Sequence, residues 1–188
     1  MGQIQRGRYG LVALCLFLAA CTGVPEGVEP VTDFDQSRYL GQWYEIARLD
    51  HSFERGLDQV TATYRLNADG SIAVLNRGFD AEQGEWREAE GVARFVQSPD
   101  IAHLKVSFFG PFYGSYVVFE LGEDYDYAFV SGFNRDYLWL LARTPEVSAA
   151  LHERFLETIT ELELTLPGWF GWMTRWMHEF ITLKCAAR

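Results

Sequence analysis

The chain has 188 residues, of which 48% are hydrophobic and 15% aromatic, so it has enough apolar surface for one packed domain and too much for a disordered chain. Its 16 basic and 26 acidic residues give a formal net charge of -10, and since no basic stripe offsets this balance, nucleic acid is not an expected partner. The mean hydropathy is -0.08, and no apolar run reaches the roughly 20 residues of a spanning helix, so we expect any membrane association to use an anchor.

Residues 1–20 have the pattern of a cleaved export signal, because Arg6 and Arg8 precede an apolar stretch that ends in small residues. The Leu-Ala-Ala-Cys run ending at Cys21 resembles the cleavage box of bacterial lipoproteins. This resemblance implies that Cys21 becomes the first mature residue and binds the membrane through its acyl chains. The following residue, Thr22, is not acidic, which implies the outer membrane of a Gram-negative bacterium, with the domain facing the periplasm. An ordinary secretory signal is the alternative.

Residues 21–35 are rich in Pro, Gly and acidic side chains, and this composition predicts a flexible tether from the lipidated cysteine. The domain is expected to occupy residues 36–188. After loss of the signal and acylation of Cys21, only Cys185 remains as a thiol, so no internal disulfide is expected.

Eight short segments rich in β-branched and aromatic residues follow, separated by turn signals. The predicted strands are 41–49, 60–66, 71–78, 86–95, 102–109, 115–121, 127–132 and 137–143. Consecutive strands with tight links favour an all-β, up-and-down antiparallel barrel, and eight strands leave room for one small ligand.

A single helix is predicted after the last strand. Thr144 is a candidate N-cap, Pro145 would be the first helical residue, and apolar residues then recur every four positions on one face up to Ile159. Such a helix would pack on the outside of the barrel.

The segment 162–179 is unusually aromatic. Trp169, Trp172 and Trp176 recur at steps of three and four residues toward Phe180, so the segment is amphipathic if it is helical. Its apolar face could extend the core onto the barrel wall, lie in the membrane interface, or form a homodimer contact. These three alternatives stay open.

Three motifs resemble the three signatures of the lipocalin family, in order and at the spacing of a barrel. They are Gly-Gln-Trp-Tyr-Glu-Ile at 41–46, Tyr-Asp-Tyr-Ala-Phe-Val at 125–130 and Leu-Trp-Leu-Leu-Ala-Arg-Thr-Pro at 138–145. Residues 104–114 are similar to the bacterial outer-membrane lipoprotein branch, which is related to apolipoprotein D. The resemblance covers roughly residues 36–159, and the segment 162–179 departs from it.

The resemblance implies a barrel closed at one end and open at the other. It implies that Trp43 packs across the closed end and that the Arg143 guanidinium lies over the Trp43 indole, as a structural cation–π contact worth about 0.5–2 kcal/mol. Neither residue is expected to be catalytic.

Candidate ligand-binding residues follow from the two-residue period of a strand. If Trp43 points inward, Glu45 and Ala47 share its face. The same parity, with matching family positions, selects Tyr64, Asn76, Val106, Phe108, Tyr116 and Trp139. A mainly apolar lining with few polar groups suits an acyl chain with one fixed head group. The alternative is an interior filled by side chains, in which Glu45 is a structural hydrogen-bond acceptor.

Motifs for catalysis or cofactors are not found. No serine lies in a Gly-x-Ser-x-Gly elbow, and the His152-Glu153 and His178-Glu179 pairs lack the second histidine of a zinc helix. No phosphate-binding glycine pattern occurs either. We therefore expect no enzyme activity, no metal and no cofactor.

The sequence thus predicts a lipid-anchored lipocalin that binds one hydrophobic ligand reversibly. The resemblance implies fatty acids or lysophospholipids as ligands and a role in envelope lipid storage, transport or repair. A non-binding envelope scaffold that uses the Trp-rich segment is the main alternative. A lipid-modifying esterase is the third hypothesis.

Overall fold

The computed structural model describes residues 22–164. Its elements in chain order are α1 (Gln36–Tyr39), β1 (Gly41–Arg48), β2 (Leu57–Leu66), β3 (Ile72–Asp80), β4 (Glu85–Phe95), β5 (His103–Phe109), β6 (Phe112–Leu121), β7 (Tyr127–Ser131), β8 (Leu138–Ala142) and α2 (Ala149–Glu161). The described part holds no helix that is long and apolar enough to cross a membrane.

The strands form a closed antiparallel barrel in the order β1 to β8. Each strand pairs with the next one along the chain, and β1 pairs with β8, with Tyr44 opposite Ala142. The predicted eight-stranded barrel is therefore confirmed. Its open end carries the β1–β2, β3–β4, β5–β6 and β7–β8 loops, since strands alternate in direction and Trp43 lies near the start of β1.

Side chains on the strands alternate between two apolar clusters. The inner cluster includes Trp43, Tyr64, Val74, Leu104, Val130 and Leu141, and the outer cluster includes Leu49, Val117, Phe129, Leu138 and Leu140. The outer cluster also contains Phe155 and Ile159 of α2. The helix therefore packs on the outside of the barrel wall, as predicted.

A bulge in β1 reverses this alternation after Glu45. The register with β8 shifts there, so that Ala47 lies opposite Leu140 and Arg48 lies opposite Trp139. Directly opposite residues share a face of the sheet. Ala47 accordingly packs in the outer cluster beside Leu140. The prediction that Ala47 faces the lumen is wrong, and Arg48 takes the inward direction instead.

Helix α2 starts later than predicted. Its N-cap is Ser148, whose side chain accepts a hydrogen bond from the Leu151 amide. The hydroxyl of Thr144 donates instead to the carbonyl of Glu146, a local turn that leaves it unable to cap the helix. The Thr144 cap was therefore an incorrect prediction, although the helical face ending at Ile159 is present.

The residues just before the barrel are packed against it rather than extended away. The Val31 amide donates to the Val118 carbonyl, and the Val31 carbonyl accepts from the Ala102 amide, both at 2.9 Å. The side chains of Val28 and Phe34 are 6% and 5% exposed. Residues 28–34 thus belong to the folded domain, where their composition predicted a tether. The reason is that Val28 packs in the outer cluster, whereas Val31 and Phe34 pack with the inner cluster.

Several predictions concern residues outside the described part of the chain. These are the signal peptide at 1–20, the lipidated Cys21, the thiol of Cys185 and the aromatic stripe from Trp169 to Phe180. They stay predictions.

Candidate functional site: the barrel lumen

The closed end of the barrel is built on Trp43, which is fully buried. The Arg143 guanidinium lies 3.8 Å from the Trp43 ring centroid, and the Tyr39 ring packs on the indole at 4.7 Å. The indole nitrogen donates to the Tyr39 carbonyl at 2.8 Å. This is the arrangement that the motifs at 41–46 and 138–145 implied.

Arg143 also binds the main chain of three neighbouring segments. Its guanidinium donates to the carbonyls of Gln42 at 2.8 Å, Arg38 at 2.7 Å and Tyr125 at 3.2 Å. Charged hydrogen bonds of this kind are stronger than neutral ones. These bonds join three segments of the chain at the closed end of the barrel. We call this end the floor of the lumen.

Three tyrosine hydroxyls meet just above the floor. The Tyr116 hydroxyl lies 2.7 Å from that of Tyr39 and 3.0 Å from that of Tyr64. Burial raises the pKa of all three phenols, so they stay neutral at physiological pH. Two contacts use two of the three hydroxyl protons, which leaves one donor for a further acceptor.

The wall above the tyrosines is apolar and only half-buried. Val106, Phe108 and Trp139 pack against the inner cluster without being fully covered by it. Gly91 provides space for the Phe108 ring, because a Cβ at Gly91 would lie 2.9 Å from two ring carbons. The inward-facing side chains of this upper part of the wall thus keep part of their surface accessible, whereas those nearer the closed end, such as Tyr64 and Val74, are buried.

Asn76 places an unsatisfied polar atom in this wall. It lies opposite Ala62 and Ala89 on the inward face of β3. Its Oδ1 is buried and has no hydrogen-bond partner among residues 22–164. An unpaired buried amide oxygen costs about 1–3 kcal/mol, so a ligand donor placed here would recover that cost.

A charged cluster occupies the mouth of the barrel. Arg48 donates to an oxygen of the Glu45 carboxyl group and, through its other terminal nitrogen, to the carbonyls of Glu54 at 2.9 Å and Leu57 at 3.0 Å. The Trp139 indole donates to Glu54 at 3.1 Å. The cluster therefore ties the β1–β2 loop to β1 and to β8.

The two carboxyl groups of this cluster differ in protonation. Burial, together with the negative charge of Glu54, raises the pKa of Glu45 to about 8. Burial opposes ionisation of Glu54 too, but hydrogen bonds from His51 and Trp139 lower its pKa below the usual value. Near neutral pH one carboxylate charge, on Glu54, thus faces the Arg48 charge.

The predicted ligand-binding residues all lie around one lumen. Tyr64, Val106, Phe108, Tyr116 and Trp139 belong to or pack on the inner cluster, Asn76 lies on the inward face of β3, and Glu45 lies at the mouth. Sequence reasoning missed Tyr39, Arg48, His51 and Glu54. Tyr39 and the β1–β2 loop lie outside any alternating strand pattern, and Arg48 follows the bulge.

Metal binding has no visible basis in the described residues. Between residues 22 and 164, no three His, Cys, Asp or Glu side chains come together as a metal site.

Comparison with known proteins agrees with this geometry. The family model described as "Lipocalin-like domain" matches residues 34–166. Among curated proteins, the chain is similar to the outer membrane lipoprotein Blc of Vibrio cholerae, with 60% identity over 152 residues that cover 80% of this chain and 89% of that protein. It is also similar to apolipoprotein D of Macaca fascicularis, with 36% identity over 151 residues that cover 71% and 78%.

A solved structure supports the fold alone. Insecticyanin from the tobacco hornworm Manduca sexta superposes with a TM-score of 0.58 at 22% identity, and the match covers 74% of this chain and 81% of that one.

Proposed function

Because this chain belongs to the lipocalin family, we propose that its barrel holds one single-chain lipid, a fatty acid or a lysophospholipid. One observation carries the proposal: the upper part of the inward-facing wall, formed by Val106, Phe108 and Trp139, is apolar, only half-buried, and leads to a charged mouth. An amphiphile fits a lumen with an apolar wall and a charged mouth. Its acyl chain would lie against Val106 and Phe108, and its head group would lie near Arg48 and Glu54.

The protein is an outer-membrane lipoprotein of a Gram-negative bacterium, in agreement with the relative of that name in Vibrio cholerae. We further propose that the acyl chains are attached to Cys21, that the domain faces the periplasm, and that the protein acts in storage, transport or repair of envelope lipids. The lipoprotein-like run that ends at Cys21 supports the first of these.

Affinity would come mainly from the acyl chain. Each buried methylene contributes about 0.8 kcal/mol, which is offset by the cost of ordering the chain. The unpaired Asn76 oxygen would gain a partner from a hydroxyl of the ligand. Holding a lipid in this way requires reversible binding and no catalytic step, in agreement with a family of binding proteins.

Native mass spectrometry of the protein lacking residues 1–21, purified without detergent, tests the proposal. We expect a copurifying lipid, or uptake of one molecule of palmitic acid or palmitoyl lysophosphatidylethanolamine per chain. A bare mass that stays bare after incubation would favour a filled barrel. Release of free fatty acid from the lysophospholipid would instead favour the esterase hypothesis.

A matched pair of variants on β5 locates the site. Val106 faces the lumen and its neighbour Ser107 faces outward. We expect Val106→Trp to fill the lumen and weaken uptake at least about tenfold, which is about 1.4 kcal/mol. Ser107→Trp introduces the same side chain on the outer face and should leave uptake unchanged. Equal loss of binding in both variants would place the ligand elsewhere.

A further inference from the structure

The upper part of β4 has a neighbouring strand on one side only. On the β3 side its register runs without a break from Glu85 at the open end to Ala93. On the β5 side, among the residues that the structure describes, the register covers only Val92 to Phe95. The cause is a difference in length, because β4 has 11 residues and β5 has 7.

The end of β5 explains where this pairing stops. Val92 lies opposite Ser107, so the same register would place Glu90 opposite Phe109, the last residue of β5. Residues 85–89 therefore extend beyond the tip of the β5–β6 hairpin, over roughly 17 Å at the rise of a strand. All side chains from 85 to 90 are exposed. We call the backbone of residues 85–90, on the side that β5 leaves uncovered, the free edge of β4.

A strand edge of this kind is a template for another strand. The N–H and C=O groups of every second residue point away from β3, where none of the described strands pairs with them. Proteins usually protect such an edge with proline, a bulge or lysine side chains. Residues 85–90 contain no Pro and no Lys, and their register with β3 is continuous. The free edge is thus able to pair with an added extended segment, the binding mode known as β-augmentation.

The charge around the free edge selects the partner. Residues 80–90 hold five acidic side chains and a single basic one, Arg87. Arg87 binds Asp80 at 2.8 Å, whereas Glu90 is in no ion pair within residues 22–164. Like charges on paired strands are destabilising, so two copies of this edge would repel each other. A strand that carries Lys or Arg side chains would instead meet opposite charges.

An added strand would also find contacts on the outer face of the barrel. Trp86 is 43% exposed and is held between the Arg77 guanidinium, 4.0 Å from its ring centroid, and the Phe79 ring, 5.4 Å away. At the foot of the free edge, a groove of about 550 Å³ is lined by Glu90 and by Tyr113 of the hairpin. The indole offers an apolar surface to a cross-strand side chain, and the groove has room for the end of the strand.

We propose that the free edge of β4 binds an extended, basic segment of another polypeptide as an added strand. The main chain of that segment would pair with the edge, and its Lys or Arg side chains would face the carboxylates of Glu85, Glu88 and Glu90. This contact uses none of the residues proposed to bind lipid in the lumen, so the two proposals are independent.

Binding of a short synthetic strand tests the proposal. The probe is a dye-labelled peptide, Lys-Val-Lys-Ile-Lys-Val-Lys, titrated at low ionic strength into the protein lacking residues 1–21, which keeps every described residue. The control peptide, Lys-Pro-Lys-Pro-Lys-Pro-Lys, has the same charge and length but cannot pair along a strand. Fluorescence anisotropy should show at least about tenfold tighter binding of the Val/Ile peptide than of the Pro peptide.

Two double variants locate the site. Glu88→Gln with Glu90→Gln should weaken binding of the Val/Ile peptide at least about fivefold, because two facing charges are lost. Glu153→Gln with Glu157→Gln removes the same charge from exposed positions on α2, which packs on the opposite part of the barrel wall. This control should leave the affinity within about twofold, since distant charges are screened by salt.

Hydrogen exchange then identifies the contact itself. In the peptide-free protein every second amide within 85–90 should exchange rapidly, since only the others bond to β3. With the Val/Ile peptide bound, these rapid amides should slow at least about tenfold, whereas exposed amides elsewhere should not change.

Four results would overturn the proposal. They are equal affinity of the two peptides, including binding of neither; equal losses in the two double variants; unchanged exchange at 85–90 with the Val/Ile peptide present; and slow exchange of all these amides without peptide. In the last case a second copy or another part of the chain would already cover the free edge.

Discussion

The two ends of the barrel are held together by different interactions. At the floor, Trp43 is fully buried and the Arg143 guanidinium is bound to three carbonyls. At the mouth, Glu45, Arg48 and Glu54 form a titratable cluster beneath a rim of exposed phenylalanines. Substitutions at the floor should therefore change stability, whereas changes at the mouth should alter the response to pH. The lumen between them should control ligand affinity.

The largest effect is expected at the floor. Arg143→Met removes three hydrogen bonds and the cation–π contact, and should lower the free energy of unfolding by about 3 kcal/mol. Urea denaturation measures this loss. Arg77→Met is the matched control, because Arg77 lies 4.0 Å over the exposed Trp86 ring without closing the barrel. The control should lose less than about 1 kcal/mol. Similar losses for both variants would contradict the structural role of the floor.

The cluster at the mouth should make the free energy of unfolding depend on pH. Since the pKa of Glu45 is about 8 in the fold and lies near its usual value of 4.5 when unfolded, the folded state holds a proton that the unfolded state lacks between these values. The free energy of unfolding should therefore fall as pH rises through this window, by about 2–3 kcal/mol from about pH 6 to about pH 8. Glu45→Gln should flatten this slope in urea denaturation. An unchanged slope would show that another group causes it.

The three tyrosines whose hydroxyls meet above the floor should have an intermediate effect on stability. Tyr116→Phe removes the hydroxyl that joins Tyr39 and Tyr64, and should cost about 1–2 kcal/mol of unfolding free energy because two buried hydroxyls lose their partner. Tyr113→Phe on the outer wall is the control and should change stability by less than about 0.5 kcal/mol. Thermal denaturation in parallel gives the comparison, and a loss for Tyr116→Phe no greater than that of the control would contradict it.

The smallest effect, and one of opposite sign, is expected at Asn76. Asn76→Leu replaces a buried oxygen without a partner by an apolar group, and should stabilise the ligand-free protein by about 1 kcal/mol. It should also weaken binding of palmitoyl lysophosphatidylethanolamine, which offers a hydroxyl donor, more than that of palmitate at pH 8. Calorimetric titration measures both affinities. Destabilisation of the ligand-free protein would mean that the oxygen has a partner after all.

Sequence patterns predicted the barrel well because strand periodicity and turn residues are local. The order of eight strands, the outer helix and the pairing of Trp43 with Arg143 are all present in the structure. The mouth could not be predicted in this way. A single bulge after Glu45 exchanges the directions of Ala47 and Arg48, and no periodic rule signals where a strand gains a residue. His51 and Glu54 lie in a loop, so only the fold brings them to the lumen.

Closure of the barrel has a kinetic consequence. The pairing of Tyr44 with Ala142 joins the first strand to the last one, so the cylinder cannot close until nearly the whole domain is available. Barrels that need strand pairing between distant parts of the chain form in about milliseconds to seconds, much more slowly than helical bundles. If residues 1–20 act as the predicted export signal, this delay keeps the chain unfolded while it crosses the inner membrane, because the barrel cannot close before its last strand has crossed.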